Sequence, residues 1–396
     1  MRIITDTDAL KAFTAELGRG PYVAIDTEFM RDQTYWPKLC LVQAAGPGVE
    51  GIIDPQAADL DLTPFYRLLA SKKVVKVFHA ARQDIEIFHH QGGVIPDPFF
   101  DTQIAAMVCG FGEAASYETL VRRIAKADLD KSVRFTDWSR RPLSKRQLEY
   151  ALADVTYLRV VYETLSKELE KTGRAPWVEE EVATLKDPAT YRLEPVDAWR
   201  RLKLRPGNRR FFAIVAALAA WREREAQTRD VPRSRIIKDE ALIEIASHPP
   251  ADADSLNEIR ALPQGYASSR QGKALFAAVK EALESPLPEG PLPVEHRRRG
   301  REAAPAALDL LKTLLRLRAA QFGVAARLVA DTNELERLAA GDDDTVPALH
   351  GWRADVFGND AVALREGRLA IALQNGEAVV IETPGMPERK RLAKVH

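Results

Sequence analysis

YVAIDTEFMRDQTYWPKLCLVQ, residues 22–43, decides how the first half of this chain is read. Tyr22-Val23-Ala24-Ile25 is an apolar run of the kind found in a strand covered on both faces. It leads directly into Asp26-Thr27-Glu28-Phe29. Side chains alternate across a strand, so Asp26 and Glu28 project to one side while Thr27 points away. Two carboxylates held side by side at the end of an apolar strand repel each other unless a positive charge lies between them. A hard divalent cation, Mg²⁺ or Mn²⁺, is the usual solution because it prefers carboxylate oxygen. Taken alone, the same residues also describe a strand ending in a solvated acidic turn, so the surrounding sequence has to decide.

Outward from this stretch, Leu39–Ala44 and Gly51–Asp54 carry further strand signals. Their connections to Tyr22–Phe29 are too short for crossover helices, which predicts an antiparallel meander. The pattern then alternates: a helix over Leu62–Ala70, a strand over Val74–Phe78, a helix over Ala80–Gln91 and an extended piece at Asp97–Phe100. Asp101–Cys109 reads as a helix with Asp101 as its N-cap. Tyr117–Ala127 reads as another, and Ser144–Lys171 as a long one announced by Pro142 and Ser144. Strands first and strand–helix units afterwards imply an α/β fold, a mixed sheet with helices on both faces.

The chain has 396 residues, 46% of them hydrophobic, enough for two or three domains with real cores. Its formal net charge is zero, so any polyanion binding has to come from local patches. Cys40 and Cys109 form neither a C-x-x-C pair nor a disulfide framework. MRIITDTDAL lacks a basic region followed by an apolar one, so no signal peptide is expected. The longest apolar run, Phe211–Trp221, is too short to span a bilayer. A cytoplasmic protein without a membrane partner is the expectation.

Val121–Arg146 holds nine Lys/Arg against three Asp, with Phe135 and Trp138 interleaved. That composition suits a single-stranded backbone with stacked bases. It equally suits a solvated amphipathic segment in which Trp138 is simply buried. Asp187–Asn208, with Pro195, Pro206 and Gly207, reads as a linker. A helical module follows over 209–284, with helices at Arg209–Gln227, Ile236–Ala246, Ser255–Ala261 and Gln264–Leu283. Residues 285–305 form a second linker, proline-rich and carrying Arg297, Arg298, Arg299 and Arg301. Residues 306–373 repeat the helical texture, and Glu366–Glu382 suggests a β-hairpin around Asn375-Gly376.

Two further acidic elements complete a constellation. In Phe78–Phe88, FHAARQDIEIF, a strand gives way to a helix with Asp84 in its first turns. In Gln147–Tyr157, QLEYALADVTY, Tyr150 and Asp154 lie at i and i+4 and share one helix face. Asp84 alone could be a helix-dipole carboxylate, and Tyr150 with Asp154 a surface pair. Together, four carboxylates and a phenol from three elements match the needs of a two-metal phosphodiesterase. There, cations stabilise the attacking and leaving oxygens and a phenol orients the attacking water.

These motifs, D-T-E-F with T-Y-x-P-x-L-C-L-x-Q, H-A-x-x-Q-D and W-x-x-R-P-L-x-x-x-Q-L-x-Y-A-x-x-D-V, resemble the ribonuclease D family, the bacterial members of the DEDDy 3′–5′ exonucleases. They stand here at Asp26–Phe29, Thr34–Gln43, His79–Asp84 and Trp138–Val155, within residues 1–175 as the exonuclease domain. Residues 209–284 resemble the helicase-and-RNase-D C-terminal (HRDC) module, and 306–373 a second, diverged copy. The resemblance implies a ribonuclease H-like fold that hydrolyses RNA from its 3′ end with two divalent cations, Mg²⁺ or Mn²⁺. It implies that Asp26, Glu28 and Asp154 hold the catalytic cation, with Asp26 bridging to a second that Asp84 supports through water. Tyr150 would position the nucleophilic water. His79 and Gln83 fit the motif and would shape the loop or touch substrate. Lys131 and Arg134 would contact the RNA backbone, and Arg141 would end the basic segment at the cleft. The implied partner is RNA, specifically tRNA precursors with single-stranded 3′ ends, and no protein partner is implied. Two other readings compete: a DNA 3′–5′ exonuclease, whose site would look the same, and an RNA-binding protein with a weakly active nuclease domain. The second has no reason to maintain repelling carboxylates.

Overall fold

A computed structural model describes residues 1–130, 132–205, 207–285, 304–343 and 345–383. Lys131 and the four linker arginines, Arg297, Arg298, Arg299 and Arg301, lie outside the described residues. The strands are β1 (Ile3–Ile4), β2 (Tyr22–Met30), β3 (Lys38–Gly46), β4 (Val49–Ile53), β5 (Val75–Phe78), β6 (Phe99–Asp101), β7 (Leu369–Gln374) and β8 (Glu377–Glu382). The first helices are α1 (Thr7–Leu17), α2 (Thr63–Ala70), α3 (Arg82–Gly92), α4 (Thr102–Val108), α5 (Tyr117–Leu120), α6 (Lys145–Thr172) and α7 (Ala175–Lys186). They are followed by α8 (Arg209–Arg229), α9 (Arg233–Ile236), α10 (Asp239–Ser247) and α11 (Arg270–Glu284). The last are α12 (Pro305–Phe322), α13 (Ala326–Val329), α14 (Thr332–Ala340), α15 (Gly351–Arg353) and α16 (Asn359–Arg365). Contacts group the described chain into two compact units. One takes in Met1–Phe99, Leu129–Arg159 and 183–285, the other Phe100–Asp128, Val160–Val182 and 304–383.

The sheet runs β1-β4-β3-β2-β5-β6. β2, β3 and β4 form the antiparallel meander that their short connections require. β1 joins β4 in parallel and β2 joins β5 in parallel, so the sheet is mixed. β1 and α1 escaped the sequence reading: a strand of two residues leaves no alternation to detect. α1 is capped by Asp6, whose side chain accepts from Ala9 N at 2.8 Å. Gly51 on β4 makes room for its packing, because a Cβ there would stand 3.0 Å from the Phe13 ring and 3.1 Å from Ile4.

The register explains which side of the sheet becomes a site. Asp26 pairs with Gln43, Glu28 with Leu41, and Gln43 with Ile52, so these side chains share a face. Leu41 and Ile52 there join Cys40, Trp138 and Ala151 in one buried cluster, which seats the first half of α6 on that face. Thr27 pairs with Val42, and Val42 with Ile53, on the opposite face.

The rest of this unit is helical. Much of Asp187–Asn208, expected as a linker, is folded: Pro195–Arg201 forms a 3₁₀ turn, and Ala198 and Leu202 are buried with Leu218, Leu242 and Leu275. The apolar spacing that buries them was hidden among prolines and charges. α8 begins at Asn208, whose side chain accepts from Phe211 N at 2.8 Å, and ends at Asp230 with φ +48°. The Asp230 carboxylate accepts from the backbone N–H groups of Tyr35 and Trp36 at 3.0 and 2.9 Å, tying the module to the loop that follows β2.

In the second unit Asp101 caps α4 as expected, accepting from Gln103 N at 2.8 Å. The helix expected over Tyr117–Ala127 is α5 continued by a π turn at Val121–Ala125. Trp177 stacks on Trp352 at 4.4 Å, and Arg353 pairs with Glu180 and Glu181. Ala325 N donates to Met107 O at 2.9 Å, and Glu113 accepts from Ala326 N and Arg327 N. The β7–β8 hairpin turns on Asn375 and Gly376, both at positive φ, as an Asn-Gly turn demands.

The two helical modules share a local plan. α8 and α12 each end in a left-handed residue, Asp230 and Gly323. Each is followed by a four-residue helix, α9 or α13, and a nine-residue helix, α10 or α14. Leu242 and Ile245 are buried in one module where Leu335 and Leu338 are buried in the other.

Candidate metal centre and nuclease site

Strand alternation and the i, i+4 spacing on α6 bring three carboxylates together. Ligand oxygens of Asp26, Glu28 and Asp154 all lie within 4.8 Å of one another. Asp154 is 9% exposed. Burial holds the Asp26 carboxyl well above the usual carboxylate range, and the charge of Asp154 raises it further. Burial pushes Glu28 up to about 10, reinforced by Asp26, Asp154 and Asp84 and opposed by Arg134. Three carboxylates gathered this closely repel one another in their charged forms. Such a cluster is stable in its charged form only with a cation supplied from outside.

Gln43 adds a second sign. Opposite Asp26 in the β2–β3 ladder, it is fully buried, yet neither amide atom has a hydrogen-bond partner among the described residues. Buried amides are nearly always satisfied, so this one marks a polar volume that belongs to something besides the protein. The donor set, all carboxylate oxygen with a neutral amide alongside, fits a hard divalent ion.

Asp84 stands apart from the triad. It lies in the first turn of α3, 7% exposed, where a carboxylate is favoured by the helix dipole. Its Oδ1 accepts from the Thr27 hydroxyl at 2.5 Å. Thr27 points away from Asp26 and Glu28, as alternation requires, and this turns it toward Asp84. No local pattern announces that bond, because its partners are 57 residues apart. Ala80, just before α3, takes φ +59° and sets the angle at which α3 leaves β5.

Tyr150 sits one turn before Asp154 and its ring packs 6.1 Å from that of Trp138. Burial raises its hydroxyl pKa far above the ordinary value, with Asp154, Glu28 and Asp26 adding to the shift. The phenol therefore stays protonated and can orient a water but cannot take its proton.

The other expected contacts separate sharply. Arg134 is exposed, stacks over the 92%-exposed Phe135 at 5.3 Å, and its charge reaches Glu28 and Tyr150. Trp138 is 2% exposed and belongs to the core, so only Phe135 of the two aromatics is presented to solvent. Arg141 is a structural clamp and not a substrate contact. It grips Asp54 with two bonds of 2.7 Å and donates to the carbonyls of Cys40, Trp138 and Arg140, which consumes its donors. Its charged partner, Asp54, lies 87 residues away, so the residue looked free. Much of the basic segment's charge is paired: Arg122 with Glu118 and Asp128, Arg140 with Asp137, Lys145 with Glu149, and Arg146 with Asp130. His79 is half-buried ahead of α3, and Gln83 is exposed beside Asp84.

An acidic cluster of this kind on one face of a mixed sheet, served by α3 and α6, defines a divalent-cation-dependent 3′–5′ exonuclease of the ribonuclease H-like class. The profile of the 3′–5′ exonuclease family matches residues 1–170, and that of the HRDC domain matches residues 211–279. The chain belongs to the ribonuclease D family. It is 51% identical over 383 residues to ribonuclease D of Granulibacter bethesdensis, covering 96% of each chain. It is 50% identical over 386 residues to that of Acidiphilium cryptum, covering 96% of this chain and 97% of the relative. Among solved structures, Escherichia coli RNase D, an exoribonuclease involved in structured RNA processing, superposes with a TM-score of 0.79 at 29% identity. That match spans 92% of this chain and 98% of the other.

Proposed function

We propose that this exoribonuclease trims single-stranded 3′ ends of RNA, tRNA precursors among them, using two Mg²⁺ or Mn²⁺ ions in the cytoplasm. The observation that carries the reading is the convergence of ligand oxygens of Asp26, Glu28 and Asp154 within 4.8 Å of one another. In this reading Asp26, Glu28 and Asp154 would hold the catalytic cation, and Asp84, steadied by Thr27, would support a second. Bound cations would supply charge stabilisation to the attacking and leaving oxygens of the scissile phosphate. The chain's own residues do the rest. Tyr150, kept protonated and braced by Trp138, orients the attacking water. Arg134 draws a backbone phosphate toward the carboxylates, and Phe135 beside it offers a face for a base. An exonuclease module over 1–175, followed by helical modules at 209–284 and 306–373, is the division we favour.

The test uses 5′-labelled single-stranded RNA and DNA of one sequence, and a tRNA precursor with a 3′ extension. RNA shortened stepwise from its 3′ end with Mg²⁺ or Mn²⁺, and intact in EDTA, is the expected outcome. DNA shortened as fast as RNA would favour the DNA-exonuclease reading.

A further inference from the structure

Besides Arg134, the first unit carries a second concentration of positive charge. A cavity of about 580 Å³ opens beside α3, lined by Arg31, Arg82, Gln83, Arg192, Arg201 and Arg233. Arg31 is committed to Glu86, and Arg233 to Glu223. Arg82, Arg192 and Arg201 have no hydrogen-bonded or salt-bridged partner among the described residues. Several guanidinium groups around one cavity repel one another until an anion enters, and their planar forks match phosphate oxygens.

The cavity's neighbours narrow the ligand further. It shares Trp36, Tyr191 and Arg192 with an adjoining cavity of about 310 Å³. Trp36 there stacks on His90 at 3.8 Å and 10° between planes, a flat aromatic platform next to the arginines. Phosphate-binding cations beside stacking faces are the combination that holds single-stranded nucleic acid without reading its sequence. Position supplies the last link. Gln83 adjoins Asp84, and Arg31 follows Glu28 by three residues, at most roughly 10 Å of extended chain.

We propose that this arginine-lined cleft receives the phosphates of the RNA strand a few nucleotides 5′ of the scissile bond, with Trp36 and His90 stacking a base. The proposal rests on the exonuclease reading for its direction: the 3′ end occupies the carboxylates, so the strand beyond it must leave in the 5′ sense. A terminal dinucleotide is too short to reach the cleft, whereas a longer strand fills it.

The test compares the wild-type full-length chain with Arg192→Gln/Arg201→Gln. Equilibrium binding is measured by fluorescence anisotropy in EDTA, with an oligoadenylate of about ten nucleotides and with AMP as probes. The double variant is expected to bind the oligoadenylate roughly tenfold more weakly, and its log affinity against log salt is expected to lose about 1.4 units of slope, roughly 0.7 for each arginine on a single strand. Turnover of a dinucleotide with Mg²⁺ stays unchanged. Arg192→Glu/Arg201→Glu, with circular dichroism confirming the fold, is expected to weaken the oligoadenylate further. Unchanged affinity and slope in both variants would overturn the proposal. So would saturable AMP binding that disappears in the variants while oligoadenylate binding persists, since the cleft would then be a mononucleotide site. If the wild type shortened no RNA but its oligoadenylate affinity still depended on these arginines, the activity reading would fail and the cleft would stand.

Discussion

The first unit buries carboxylates in two places and settles them in opposite ways. Glu223 on α8 is fully buried, but Arg233 grips it with bonds of 2.6 and 2.7 Å, and the Tyr35 hydroxyl donates to it. Burial would raise its pKa, yet Arg233 and Tyr35 outweigh burial and hold the carboxyl below its ordinary value. Asp26 and Glu28, set beside Asp154, have their carboxyl pKa values raised by burial and by the neighbouring carboxylate charges, so these two protons are held tightly. Each cluster even keeps a tyrosine, Tyr35 in one and Tyr150 in the other. Where a carboxylate serves the fold, the chain supplies its own cation. Where carboxylates gather for chemistry, on the reading proposed above, the cation comes from solution.

The largest expected effect breaks the open cluster. Asp26→Asn abolishes nuclease activity because it removes a ligand oxygen with its charge, whereas Glu223→Gln leaves activity on short RNA within a few-fold of wild type. The check is kcat/KM on a dinucleotide. The tyrosines come next. Tyr150→Phe is expected to lower kcat by roughly 10²–10⁴-fold while cation binding persists. Tyr35→Phe is expected to cost about 1.5 kcal/mol of stability through its lost bond to a charged acceptor, with kcat near wild type. Denaturant melts alongside turnover would expose any exchange of these roles.

Arg233→Met leaves Glu223 buried with only Tyr35 for company, and a loss of about 3 kcal/mol is expected in urea unfolding. Adding Glu223→Gln to it should restore part of that loss, which a merely steric role for Arg233 would not allow.

The smallest effect is a pair of opposed pH dependences in cation-free protein. Glu223 has a folded pKa below its unfolded value of 4.5, so its contribution is full above pH 4.5 and fades as pH falls below it. Glu28 has a folded pKa of about 10, so its contribution is full below pH 4.5 and drains away as pH rises toward 10. Thermal melts in EDTA across this range are expected to fall toward both ends in wild type. Glu223→Gln should remove part of the acid limb alone.

How much of this was legible depended on the distance between partners. Asp26 and Glu28 followed from strand alternation, and Tyr150 with Asp154 from a single helical turn, because period and propensity act within a few residues. The antiparallel meander and the Asn-Gly hairpin were readable for the same reason. Tyr35 and Glu223 are 188 residues apart, and Arg141 and Asp54 are 87 apart, so no local pattern announced either. The Val121–Arg146 segment looked cationic because its composition was visible while its pairing with Asp130, Asp137 and Glu149 was not. Trp138 was ambiguous for a related reason: only the packed sheet shows it against Cys40 and Ile52.

One measurement bears most directly on the claim that the open cluster awaits a cation. Melting temperatures of wild type and Asp26→Asn are recorded in EDTA and in Mg²⁺ or Mn²⁺ at neutral pH. The account predicts that Asp26→Asn melts higher than wild type in EDTA, because a neutral amide removes the cost of burying a carboxyl beside two others, and that cations raise wild type but not the variant. A variant that melts lower than wild type in EDTA, or a wild type indifferent to both cations, would contradict it.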